Sequence, residues 1–195
     1  MFKIGLTGGI GVGKSSASIF FNKLNIPVYN SDNRAKWLMN HDSTLKDKLI
    51  SEFGSASYSD GKVNRTYLSN LVFKDSDKLK LINSFVHPYV KSDFEQWILK
   101  INAPYVVKEA AILIESGAYK QVDYVLLIQS SLENRLKRVS ERDGVNNDDI
   151  LKRINNQMPE DDKQKLADFV ILNDSNLEAL ELKVNAFHKQ ILNSL

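Results

Sequence analysis

The stretch LTGGIGVGKSS, residues 6–16, follows an apolar opening, Met1 to Leu6, with four glycines, a lysine and two serines. FKIGLT (Phe2 to Thr7) is rich in β-formers and runs into glycine, while KSSASIFFNKL sets Ala17, Phe20, Phe21 and Leu24 at helical spacing. The local order is therefore strand, glycine loop, helix. Gly8, Gly13, Lys14 and Ser15 satisfy the pattern GxxxxGK followed by Ser or Thr, which chance supplies about one time in a hundred in a chain of this length.

Glycines let successive backbone N–H groups converge on phosphate oxygens, and the positive end of the following helix adds to the attraction. Gly9, Ile10, Gly11, Val12, Gly13, Lys14, Ser15 and Ser16 are the expected contacts to a nucleotide. Lys14 adds a full charge at the β and γ phosphates. Ser15 offers a hydroxyl to magnesium, a small dication that takes few protein ligands. The competing reading is a glycine turn with ordinary capping serines.

The chain has 195 residues, 43% hydrophobic and 26% charged, which fits one domain able to bury a real core. Its net charge of +2 comes from interspersed acids and bases, so the basic stretch of a nucleic-acid binder is missing. Cysteine is absent and the three histidines, His41, His87 and His188, are scattered, which leaves oxygen as the donor to any metal. With no run of about 18 apolar residues and no signal-peptide pattern, a cytoplasmic location away from membranes is expected. A monomer or weak homo-oligomer is expected as well.

Further strands are expected at IPVYNSD around Val28, from Pro104 in PYVVKEAAIL, from Val122 in VDYVLLIQ and from Asp168 in DFVIL. Such continuous apolar runs suit buried parallel strands. Between them Leu45, Leu49, Ile50 and Phe53 form a helical face ended by Gly54. Leu79 through Ile101 form a longer one, with a break expected at Pro88. Leu177, Leu180, Val184, Phe187 and Ile191 make a final amphipathic helix. Strands alternating with helices argue for an α/β fold. Arg135 to Asp168 is densely charged and poor in apolar residues, as a thinly cored flap would be.

A phosphate loop defines binding, not a reaction. The NKxD and DxxG patterns of GTPases do not occur, and YVLLIQ ends in Gln129 where a motor ATPase would place an acid. A small-molecule kinase is favoured over a regulatory nucleotide switch.

IPVYNSDNRAK, DGKVNR, VHP, AILIESG, RLKRVSERD and ADFVILN follow the loop in that order. In this, from Gly5 to about Asn173, the chain resembles the dephospho-coenzyme A kinase family. The resemblance implies a three-layer P-loop kinase fold with a parallel β-sheet core, a helical acceptor-binding insertion and a helical lid. The core would comprise residues 1–30, 104–130 and 168–195, the acceptor segment 31–103 and the lid 131–167. The implied reaction is ATP-dependent phosphorylation of the ribose 3′-hydroxyl of dephospho-coenzyme A, with another nucleoside or nucleotide kinase as the alternative. ATP and dephospho-coenzyme A would be the small-molecule partners. The family's usual Asp-Ala-Asp after the second strand reads Asn30, Ser31, Asp32 here, its proline is Ala111, and its Thr after the loop serine is Ser16.

The resemblance makes Asp32 the acceptor of the 3′-hydroxyl proton or the group that orients that hydroxyl; the alternative is an N-cap for a helix beginning near Asn33. Arg135, Arg138 and Arg142 share a helical face. Arg138 and Arg142 match the family's lid arginines, against the plainer reading of a solvated basic face paired to Glu141. Arg65, His87 and Glu115 match family positions that would contact the acceptor, and either Glu115 or Glu109 could instead meet magnesium-bound water, with an acceptor group open to Glu109 as well. Each also has an ordinary structural reading. Asn173 lies where the family's nucleotide base would pass. Arg153 and Gln157, four apart, resemble a family pair and equally suit a surface hydrogen bond.

Overall fold

A computed structural model describes residues 1–195, the side chains of Phe73, Lys74 and Ser76 aside. Its central strand is β1 (Phe2–Thr7), whose Ile4 and Leu6 are fully buried. Five parallel strands run in the order β2 (Val28–Asn30), β5 (Tyr105–Glu109), β1, β6 (Tyr124–Gln129), β7 (Phe169–Leu172). Leu6 pairs with both Glu109 and Leu126, and Asn30 pairs with Glu109. The carboxyl ends of β2, β5 and β1 therefore line up where the glycine loop begins, the edge at which open α/β sheets bind ligands.

The chain divides into two compact units. One comprises Met1–Asn30 with Ile101–Leu195, and the other Ser31–Lys100. In the first, α1 (Lys14–Lys23) and α9 (Leu177–Leu192) cover one sheet face. Ile4, Leu6, Phe21, Leu126, Ile128, Val184 and Phe187 form its core. Strand residues of opposite parity face the other way: Val125 joins Ala110, Leu113 and Ile114 beneath Met158 and Ala167. Helices α6 (Leu132–Asp143), α7 (Asn147–Asn155) and α8 (Glu160–Gln164) complete this unit. The charged segment is not coreless, since Arg135, Val139, Ile150 and Lys163 are buried.

The second unit is helical: α2 (Ser31–His41), α3 (Ser43–Phe53), α4 (Arg65–Lys74) and α5 (Ser76–Ile98). Asp42 caps α3 by accepting from Leu45 N–H, and Gly54 ends it as expected. Between α3 and α4, β3 (Tyr58–Ser59) and β4 (Lys62–Val63) form a small hairpin that the sequence reading did not separate. Its turn residues Asp60 and Gly61 both have positive φ, 52° and 77°, the conformation an Asp-Gly hairpin turn favours.

Two expectations fail. The helix is unbroken at Pro88, which lies inside α5. A proline displaces the carbonyl four residues back, here that of Ser84, and both residues are exposed, so water can satisfy it. β7 is an edge strand, not a buried one: Val170 and Leu172 are exposed.

Phe21 of α1 is fully buried, edge-on to Phe187 of α9 at 6.0 Å between ring centroids. Phe21→Ala is expected to lower unfolding free energy by about 3–5 kcal/mol in urea titrations, with no change in the parallel-sheet circular dichroism below the transition.

Candidate active site

The glycine loop spans Gly8 to Gly13, and α1 starts at Lys14 with no side chain capping it. A helix start of this kind attracts an anion through its first-turn N–H groups. Gly11 and Gly13 have φ of 81° and 100°, and neither has room for a side chain. A Cβ on Gly13 would collide with the Asn173 amide, and one on Gly11 would press on Val139 and the Arg135 carbonyl. Lys14 Nζ donates to the carbonyls of Gly8 (2.8 Å) and Gly9 (3.0 Å), so the ammonium is held over the loop. Ser15 is exposed in the first turn of α1.

Side chains from three other elements grip this loop from outside. Asn173, just past β7, donates through Nδ2 to Val12 O at 2.8 Å. Arg135 of α6 donates through Nε to Ile10 O at 2.9 Å, and Ile10 N–H donates to Gln157 Oε1 at 2.9 Å. Arg135 is buried, and Glu160 Oε1 lies 3.2 Å from its Nη1. Burial pushes the guanidinium pKa down, and the Glu160 carboxylate works against that.

At the end of β5, Glu109 Oε2 accepts from Ser18 Oγ (2.8 Å) and Asn30 Nδ2 (2.9 Å). Asn30, the departure from the family pattern, thus acts as a donor to a buried carboxylate. Glu115 Oε1 stands 3.0 Å from Lys163 Nζ, and Lys163 is fully buried. The two charges meet closely, though without hydrogen-bond alignment.

The arginine face resolves into different partners from those expected. Arg135 is turned into the loop. Arg138 donates to Ser130 Oγ at 3.2 Å and Ser175 O at 3.3 Å. Arg142 forks onto Asp143 at 2.7 and 2.9 Å, and Arg153 lies 3.5 Å from the same carboxylate. The partner is Asp143 rather than Glu141, and Arg153 and Gln157 serve different contacts. In the second unit Asp32 sits in the first turn of α2, which begins at Ser31, so it is not an N-cap. Arg65 is exposed at the start of α4, whose cap is Asn64, and His87 is half-buried in α5. Sequence spacing marks Gln157 only as half of a surface pair and gives no signal for Glu160 or Lys163, because their partners Ile10, Arg135 and Glu115 are far from them in the chain.

Known proteins agree with the resemblance. The dephospho-CoA kinase family model matches residues 2–179. A dephospho-CoA kinase from Bacteroides fragilis is 38% identical over 173 residues, covering 88% of this chain and 84% of that one. The crystal structure of TT1252 from Thermus thermophilus superposes with a TM-score of 0.84 at 32% identity, covering 97% of each chain. A dephospho-CoA kinase from Campylobacter jejuni shares the fold, with a TM-score of 0.70 at 24% identity, covering 97% of this chain and 96% of that one. The chain belongs to the dephospho-CoA kinase family and has the α/β fold of P-loop kinases.

The start of α6 is fastened by Asp174, whose Oδ1 accepts from Ser131 N–H (2.6 Å), Ser130 Oγ (2.8 Å) and Asn134 Nδ2 (3.2 Å). These bonds, the Ser131 N–H first, hold the carboxyl near pKa 2 against an ordinary 3.8. A depressed carboxylate stabilises the fold above its unfolded pKa and loses that contribution as pH falls through the folded one. Asp174→Ala should therefore lower the melting midpoint at pH 7. The gap from wild type should narrow as pH drops from 3.8 toward 2 in melts followed by circular dichroism.

Proposed function

We propose that this member of the dephospho-CoA kinase family phosphorylates the ribose 3′-hydroxyl of dephospho-coenzyme A with ATP, giving coenzyme A and ADP, in the cytoplasm. The observation that carries the reading is the family match over residues 2–179, which takes in both the glycine loop and the helical segment the resemblance assigns to the acceptor. Among the described residues no helix is long and apolar enough to cross a membrane.

Catalysis here is positioning and charge stabilisation, without a covalent intermediate. The N–H groups from Gly9 to Ser16 receive the phosphates, except that of Ile10, which Gln157 holds, and Lys14 exchanges the carbonyls of Gly8 and Gly9 for phosphate oxygens. Asn173 serves the nucleotide by holding Val12, since its amide nitrogen is committed there. Arg138 and Arg142 donate to the transferring group; a guanidinium can do so in fork geometry. Asp32 accepts or orients the acceptor hydroxyl, while Arg65, His87 and Glu115 hold the rest of the acceptor.

Magnesium fits this donor set. Ser15 is exposed at the helix start, and among the described residues no cluster of three or more acids or histidines forms a metal cage. An ion held by one hydroxyl, phosphate oxygens and water is what magnesium prefers. When bound it would neutralise charge building on the phosphate oxygens.

Purified protein with Mg-ATP and dephospho-coenzyme A should yield ADP and a product heavier by one phosphoryl group. Absence of coenzyme A by mass spectrometry would overturn the acceptor assignment. Asp32→Asn should lower kcat by about 10²–10⁴ with the melting midpoint unchanged, and near wild-type turnover would remove Asp32 from the proton transfer.

A further inference from the structure

Ile10, at the tip of the glycine loop, has both of its backbone polar groups taken by the segment between β6 and β7. Its N–H goes to Gln157 and its C=O receives Arg135 Nε. Ile10 is flanked by Gly9 and Gly11, residues that permit both signs of φ. With glycine on both sides, the facing of the peptide units around Ile10 is set by the groups that bond them. Turns with glycine next to the pivot interconvert by rotating such a unit.

In a trans peptide the carbonyl of one residue and the N–H of the next point in opposite directions, and every peptide bond here is trans. Arg135 draws the Ile10 carbonyl toward α6, so the Gly11 N–H faces away from α6. Gln157 draws the Ile10 N–H outward, so the Gly9 carbonyl faces the opposite way, where Lys14 Nζ meets it at 3.0 Å. One side chain thus orients a phosphate donor, and the other orients the carbonyl on which the loop lysine waits.

We propose that Arg135 and Gln157 are positioning residues for nucleotide binding, which fix the two peptide units around Ile10 so that the loop is preformed for phosphate. This rests on the reading that the loop takes nucleotide phosphates, and not on the identity of the acceptor. Glu160 orients Arg135 in turn, with Oε1 3.2 Å from Nη1. The fit is tight: a Cβ on Gly9 would run into both the Arg135 guanidinium and the Glu160 carboxylate. A flexible lysine at 135 would keep the charge facing Glu160 but lose the planar fork that reaches Ile10 O.

The test uses the full chain and two variants, Gln157→Met, which keeps length without an acceptor, and Arg135→Lys. Calorimetry with MgADP and with tripolyphosphate reads the loop directly, and steady-state kinetics separate KM for ATP from KM for dephospho-coenzyme A. Both ligands should bind each variant about five- to tenfold more weakly, the scale of one lost hydrogen bond. KM for ATP should rise in parallel. KM for dephospho-coenzyme A should stay within about twofold, and the Gln157→Met melting midpoint within about 2 °C of wild type. Unchanged affinity for both ligands in folded Gln157→Met overturns the proposal. So does an equal rise in both KM values with a lowered midpoint, which marks general structural support. If the variants weaken tripolyphosphate binding while the wild type fails to phosphorylate dephospho-coenzyme A, the clamp stands and the acceptor assignment falls.

Discussion

A loop that aims several N–H groups at one anion must turn the matching carbonyls outward, and each of those needs a donor. This constraint organises the first unit. Val12 O is satisfied by Asn173 and Ile10 O by Arg135, so the end of β7 and the body of α6 must both reach the loop. β6 and β7 are adjacent in the sheet, and Asn173 N–H bonds Gln129 O at 2.8 Å, which brings Asn173 level with the end of β6. Asp174 then fastens the first turn of α6 to the same point. The order of strands and the shape of the loop are in this sense one arrangement.

Packing reinforces it. β1 ends in Thr7, buried beneath the loop, and Gly5 in the same strand is glycine because a Cβ there would press into Leu113 at 2.5 Å. Leu113 belongs to the small cluster on the face opposite α1. Interiors at crystal-like density transmit such displacements rather than absorb them, so a side chain at position 5 would be felt at the turn that carries Glu115.

The core of this fold was legible because its signals are local. Strand β1, the loop and α1 are adjacent in sequence, and Gly8, Gly13, Lys14 and Ser15 declare themselves by spacing alone. Apolar runs located β5 and β6 for the same reason. Edge position is not local: DFVIL looks as apolar as YVVKE, yet only the pairing pattern leaves Val170 and Leu172 exposed. Helical spacing placed Arg135, Arg138 and Arg142 on one face but could not say that Arg135 turns into the loop while Arg142 forks onto its neighbour Asp143. Pro88 misled because a local rule met an exposed helix face where water relieves its cost.

Asn30 shows how a departure from a family pattern can be absorbed. An aspartate at position 30 would set a second carboxylate beside Glu109, and two acids at hydrogen-bond distance require a shared proton or a cation between them. The asparagine amide removes that requirement, since it donates to Glu109 Oε2 while Ser18 Oγ donates to the same atom. The paired strand ends Asn30 and Glu109 then carry one carboxylate where an aspartate at position 30 would make two. Fewer fixed acids repel a polyphosphate less and attract a free divalent ion less.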